Sequence, residues 1–155
     1  MQISQESIDD RLEGWPVARL ASRGEDGRPH QVPIVFARSG GRLWSPVDGK
    51  PKAKGELVRV RNLLARPEVS LLLDEYTADW TQLWWIRIEA TAEILRPDAG
   101  DSGGAGDQGD QSDVSKAIAA LEAKYPQYAK VSVLRDPGTL IAFSLTRVVS
   151  WTAGA

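Results

Sequence analysis

Apolar and polar residues alternate along Trp85-Ile86-Arg87-Ile88-Glu89-Ala90-Thr91-Ala92-Glu93-Ile94, the period of a strand with one face in a core. The alternation predicts one long strand over Trp84–Leu95. Shorter runs, Val17–Ser22, Gln31–Ala37, Arg42–Val47 and Val69–Leu73, read as further strands. The first two are separated by the Asp26-Gly27 turn and the next pair by Ser39-Gly40-Gly41, so the chain opens as an antiparallel meander. Leu140–Leu145 with Val148–Trp151 gives the last strand or pair.

Three segments carry helical spacing instead. Ser4–Gly14 places Ile8 and Leu12 on one face with Gly14 as its stop, and Glu56–Ala65 places Leu57, Val60 and Leu64 on a stripe ended by Pro67. Val114–Lys124 puts Ile118 and Leu121 inward, and Tyr125-Pro126-Gln127-Tyr128 ends it. Asp74–Leu83 reads as a loop bearing Tyr76, Asp79 and Trp80. Pro33 and Pro46 cannot donate to a ladder, which predicts exposed or bulged strand edges there, with neighbouring backbone groups left for a ligand.

Six or seven strands on short turns, with two or three helices at the margins, exclude a regularly alternating doubly wound sheet. They predict a single mainly antiparallel domain over 1–155, a small barrel with peripheral helices. The segment 98–113 holds five aspartates and five glycines, with no lysine, arginine, aromatic or large aliphatic residue. It cannot bury enough to offset its ordering entropy, and is expected to be a flexible surface insertion. Its aspartates lack the EF-hand spacing.

Composition narrows the chemistry. There are no cysteines and one histidine, His30, which excludes disulfides, thiolate chemistry and a multi-histidine metal centre within one chain. No serine stands in a Gly-x-Ser-x-Gly elbow, and His30, just after a turn, reads as a strand-end residue. No apolar run is long enough for a bilayer span and the first residues are polar, so a cytoplasmic protein without membrane contact is expected. The formal net charge is -2 and the pI near 5.5, against the basic balance of a nucleic-acid binder.

Positive charge is nevertheless concentrated locally. From Lys50 to Arg66 there are six basic residues (Lys50, Lys52, Lys54, Arg59, Arg61, Arg66) and one acid, Glu56. A basic loop leaving a strand and entering a helix suits a phosphate or carboxylate, and Pro51 stiffens it. No Walker-type run is present. Trp80, Trp84 and Trp85 crowd a second segment, and adjacent strand tryptophans must point to opposite faces. One face is a subunit contact or pocket wall. Indoles for a planar ring and lysines for its acidic tail together point to a flavin-like cofactor.

The order strand, Asp-Gly-Arg-Pro-His turn, Val-Pro-Ile-Val-Phe strand, Gly-Gly turn, strand, Asp48-Gly49-Lys50-Pro51-Lys52, Arg61-Asn62-Leu63 and Arg66-Pro67-Glu68-Val69-Ser70-Leu71 resembles the pyridoxamine 5'-phosphate oxidase-like split β-barrel proteins. Within them it is most similar to the flavin/deazaflavin oxidoreductases that use coenzyme F420, through the Asp-Gly-Lys-Pro-Lys loop and Asp79-Trp80-Thr81-Gln82-Leu83-Trp84-Trp85. The likeness is good over Arg11–Leu95 and looser over Val114–Trp151.

The resemblance implies an antiparallel, FMN-binding-type split barrel and a homodimer whose two cofactor sites are lined by both chains. Carried over by position, Val32, Pro33, Ile34, Val35 and Phe36 lie along the ring. Lys50 and Lys52, flanking Pro51, hold the phosphate or acidic tail, with Lys54, Arg59 and Asn62 nearby. Trp80, Trp84 and Trp85 come from the partner chain or the dimer seam. The implied chemistry is hydride transfer between the deazaflavin ring and a small unsaturated substrate, with no catalytic side chain singled out. FMN is the alternative cofactor, and a non-catalytic flavin, deazaflavin or tetrapyrrole carrier the alternative role. The basic path from Lys50 to Arg59 is long, which favours F420 with its poly-glutamate tail. The 98–113 insertion departs from the compact family pattern.

Overall fold

The computed structural model describes residues 1–48, 57–97, 108–134 and 138–154, and the side chains of the third stretch from 111 onward. Seven strands form one antiparallel sheet: β1 (Ala18–Arg23), β2 (Pro29–Ile34), β3 (Ala37–Ser39), β4 (Arg42–Val47), β5 (Glu68–Glu75), β6 (Trp84–Leu95) and β7 (Thr139–Thr152). Three α-helices accompany them, α1 (Gln5–Gly14), α2 (Val58–Ala65) and α3 (Gln108–Lys124). The strand order is β2-β1-β5-β6-β7-β4-β3. Its two ends, β2 and β3, are consecutive in sequence, so the sheet curls until its edges meet only at the Val35-Phe36 corner. That is a barrel split along one side.

Long alternating strands make this possible. β6 pairs along its length with β7 and with all of β5, and its inward residues Trp84, Ile86, Ile88, Ala90 and Ala92 are buried. They meet Leu20, Leu71, Leu73, Leu43, Ile141 and Phe143 in the barrel core. A second core lies outside the sheet, where Val114, Ala117 and Leu121 of α3 cover Trp44, Leu140 and Ala142. β3 and β4 are joined through Gly40 and Gly41 at φ 59° and 74°, a conformation that a two-residue hairpin needs and that glycine alone adopts without strain.

Several expectations change. The run Gln31–Ala37 is not one strand; β2 ends at Ile34 and β3 begins at Ala37. The break is imposed from far along the chain by the Tyr125 hydroxyl, which accepts a hydrogen bond from the Phe36 N–H (3.0 Å). That hydroxyl also lies within bonding distance of the Pro16 (2.8 Å) and Phe36 (2.9 Å) carbonyls, to one of which it donates. α3 starts at Gln108, so residues 108–113 are helical where a loop was expected, while 98–107 lie outside the described residues. On α2 the buried residues are Val60, Asn62 and Leu63, and Leu64 is exposed. β5 runs on to Glu75, and the last strand is continuous. Pro33 does sit on an edge strand, exposed. Pro46 is buried on β4 beyond the reach of β3, paired with Leu140 on its other side.

Removing the Tyr125 hydroxyl would strand a buried N–H and at least one carbonyl. Tyr125→Phe is therefore expected to lower unfolding free energy by about 2 kcal/mol with an unchanged denaturant m-value. A loss under about 0.5 kcal/mol in urea titration would mean that the Phe36 corner is held by packing alone.

Candidate functional site

The split is bounded by the inner face of β2, the end of β4 and α2. His30, Val32 and Ile34 line the inner face of β2, opposite Ser22, Leu20 and Ala18 of β1. Val32 and Val35 are half-buried, Ile34 and Phe36 buried, and Pro33 exposed on the outer side. Their backbone at the corner is therefore accessible in part, with Phe36 itself committed to the core and to Tyr125.

Polar groups collect where β4 hands over to the loop before α2. Asp48 is 2% exposed at the end of β4, and the Tyr128 hydroxyl donates to its Oδ2 at 2.9 Å. Burial and the adjacent Asp48 carboxylate hold the Tyr128 hydroxyl well above the ordinary phenol range. Arg59 on α2 faces the same carboxylate. Burial lowers the Arg59 guanidinium from its ordinary value, and Asp48 partly restores it. Its Nε is buried and makes no hydrogen bond. One helical turn on, Asn62 is buried and donates to Ser22 Oγ at 3.1 Å, so it joins α2 to β1 rather than facing a ligand freely. Arg66 donates to the Gly24 (2.7 Å) and Glu25 (3.2 Å) carbonyls and ties the same helix to the β1–β2 turn. His30 Nδ1 and Ser45 Oγ are also buried without a partner.

An unpaired buried polar atom costs roughly 1–3 kcal/mol. Three such atoms, on β2, β4 and α2, lie on the elements that bound the split. A ligand rich in acceptor oxygens would satisfy the arginine. Lys50, Pro51, Lys52 and Lys54, the basic loop of the sequence, belong to residues 49–56, outside those described. The described residues that flank them in sequence are Asp48, which faces Arg59, and Leu57, two residues before it.

The tryptophans are elsewhere. Trp84 and Trp85 do point to opposite faces: Trp84 is buried inward and Trp85 is half-exposed outward. Trp84 packs edge-on against Trp15 at 4.6 Å between centroids, and its Nε1 donates to Glu75 Oε2 at 2.9 Å. Both stand at the start of β6, whereas the end of β4 and α2 adjoin its far end, where Thr139 pairs with Val47 and Leu140 with Leu95. A twelve-residue strand spans on the order of 30 Å or more. Within one chain, Trp84 and Trp85 therefore stand a strand's length from Asp48 and Arg59. Trp80, in a 3-10 turn capped by Asp79, is 76% exposed.

The residues sequence reading missed are Asp48, Tyr128, Ser45 and the pair Lys124-Tyr125. Asp48 stood in plain view in the Asp-Gly-Lys-Pro-Lys motif, but only the fold shows that it is buried. Lys124 Nζ lies 3.7 Å from the Phe36 ring centroid and donates to the Leu12 carbonyl at 3.2 Å. Burial lowers this amine to about 8 although Glu13 opposes the shift. Below that value the folded chain carries a desolvated ammonium. Between about pH 8 and 10.5 the unfolded chain binds the extra proton, so stability rises with pH there. Above pH 10 the raised Tyr125 and Tyr128 hydroxyls reverse the trend. Lys124→Met, which keeps the stem over Phe36, is expected to flatten the rise between pH 8 and 10 in urea titrations. An unaltered profile would mean the ammonium is solvated.

No helix among the described residues is long and apolar enough to cross a membrane. The family model for pyridoxamine 5'-phosphate oxidase matches residues 4–151. No curated protein sequence matches the chain. Solved structures with a similar fold include the conserved hypothetical protein Rv2991 from Mycobacterium tuberculosis, at TM-score 0.71 and 20% identity over 97% of this chain and 86% of that one. An FAD-binding protein from Mesorhizobium loti gives 0.65 and 20% over 97% and 93%. The heme storage protein HutZ from Vibrio cholerae gives 0.63 and 13% over 98% and 95%. At these identities the likeness is one of fold.

Proposed function

The chain belongs to the pyridoxamine 5'-phosphate oxidase family, and from that premise we propose that it is a cytoplasmic, homodimeric oxidoreductase that binds F420 in the split. Its reaction is hydride exchange between the deazaflavin ring and a small unsaturated molecule. The observation that carries the reading is Arg59, whose buried Nε has no partner, beside Asp48 at the root of a loop bearing Lys50, Lys52 and Lys54. A phosphodiester followed by glutamates supplies acceptors for all four cations.

The chain's own part is placement. Lys50, Lys52 and Arg59 hold the acidic tail, with Pro51 and Lys54 shaping its path. Asn62 fixes α2, and with it Arg59, through Ser22. The backbone from Val32 to Phe36 flanks the ring, at a corner that Tyr125 and Lys124 immobilise. When bound, the deazaflavin supplies the hydride, so no nucleophile or acid–base pair is needed from the protein.

The dimer is part of this reading, and the exposed aromatic residues of the outer sheet face support it. The outer sheet face not covered by α3 carries Leu72, Trp85, Val149 and Trp151, with Trp85 directly opposite Trp151 and Arg87 opposite Val149. Around them stand both signs of charge: Arg19 bonded to Asp74, and Arg147 to Glu89 at 3.8 Å. A mixed-charge face with an aromatic centre is self-complementary under a two-fold axis. In the proposed pair the Trp80–Trp85 end of one copy lines the site that Arg59 bounds in the other.

Fluorescence titration of the apo-protein with F420 and with FMN, near physiological salt, tests the reading. Tight F420 and weak FMN binding is expected. The reverse would make it an FMN enzyme. Stable binding of a flavin or tetrapyrrole without turnover would make it a carrier, the role the likeness to a heme storage protein brings forward.

A further inference from the structure

At the opposite end of the barrel from α2, a cleft of about 490 Å³ opens between the first turns of α1, the end of β5 and the start of β6. Its size falls within the roughly 300–1,000 Å³ of small-molecule pockets. Arg11 and Glu75 both line it, together with Ser4, Ser7, Gln82 and Trp84.

Trp84 holds the two charges apart. The Arg11 guanidinium lies over the indole face, 4.5 Å from its centroid, and the Glu75 carboxylate accepts from the indole N–H at the ring edge. Arg11 spends one donor on the Ser7 carbonyl at 3.1 Å. Its other nitrogens, and Glu75 Oε1, make no hydrogen bond to a described residue. Neither side chain forms an ion pair among the described residues, although other arginines here do, Arg38 with Asp9 and Arg42 with Glu93 and Asp113 among them. A cation and an anion facing one cleft, kept from neutralising each other by a rigid ring, form a template for a ligand that carries both signs. A simple anion would meet the Glu75 carboxylate, and a simple cation the guanidinium. Ser4, the N-cap of α1, and Ser7 in its first turn mark the end of the helix dipole that favours a carboxylate.

We propose that this cleft binds a small zwitterion of the α-amino acid type, with its carboxylate on Arg11 and its ammonium on Glu75. The site is independent of the cofactor assignment.

The test varies the ligand before the protein. The full chain is titrated calorimetrically at neutral pH with leucine, N-acetylleucine and leucine methyl ester, which remove first the ammonium and then the carboxylate. Leucine is expected to bind at least about tenfold more tightly than either blocked form, as loss of one charge-assisted contact requires. Glu75→Gln should weaken leucine and leave N-acetylleucine unchanged, while Arg11→Gln should weaken leucine and leave the methyl ester unchanged. N-acetylleucine binding as tightly as leucine would reduce the cleft to an anion site and overturn the proposal. So would equal binding of all three, or no heat with leucine at concentrations of about 10 mM, where even millimolar affinity is visible.

Discussion

Replacing Lys50 and Lys52 together by alanine is expected to weaken F420 binding by at least about 1.5 kcal/mol, more than tenfold, without lowering thermal stability. The two effects separate because of where the lysines stand. They belong to the link between β4 and α2, whereas the core is built from β6, β5 and β1 and is closed by Val60 and Leu63. Arg59 differs, since its guanidinium is partly buried next to Asp48. Arg59→Ala would remove a cation from the tail and leave Asp48 short of a neighbouring positive charge, so it is expected to lose both affinity and stability. Salt gives a second readout. If the lysines act as charges on an anionic tail, wild-type affinity falls with ionic strength and the double variant's falls less. Unchanged affinity at low salt would mean the loop is only a solvated face.

How far the sequence reaches depends on how local the cause is. The period of two in Trp84–Leu95 is a local signal, and β6 occupies those residues. Ser4 and Gly14 bracket α1 for local reasons too, the serine oxygen accepting the Ser7 N–H at 3.2 Å. The break at Val35-Phe36 has no local cause, because the apolar run is continuous and its backbone is diverted by a tyrosine 89 residues away. The resemblance sets Asn62 near the acidic tail, yet its amide is drawn inward to Ser22 at 3.1 Å. Residues 108–113 are too polar to nucleate a core. They extend a helix whose packing is supplied by Val114, Ala117 and Leu121, and Asp113 meets Arg42 at 3.5 Å. The basic loop and the tryptophans were both legible as unusual segments. That the end of β4, from which the basic segment follows, and the tryptophans lie at opposite ends of β6 was not, because it depends on the register between β6, β7 and β4.

That register carries the most discriminating prediction. A variant with Lys50→Ala and Lys52→Ala lacks the tail contacts, and a variant with Trp80→Ala and Trp85→Ala lacks the ring contacts while sparing the buried Trp84. Each alone is expected to bind F420 poorly. If every site takes its loop from one copy and its indoles from the other, a mixed dimer holds one site with both defects and one with neither. Random exchange makes half the dimers mixed, so co-refolding the two variants should restore about a quarter of the wild-type sites, at wild-type affinity. Sites built within single chains would show no recovery at any mixing ratio. The same material should sediment at twice the 16.9 kDa chain mass. A monomer in sedimentation, or a dimer without recovery, would separate the two-fold assembly from the composite site and leave the indoles as surface aromatics. Trp84 and Trp85 stand at the start of β6 while Asp48 and Arg59 adjoin its far end, on the order of 30 Å away, so recovery on mixing would mean that two copies build each site.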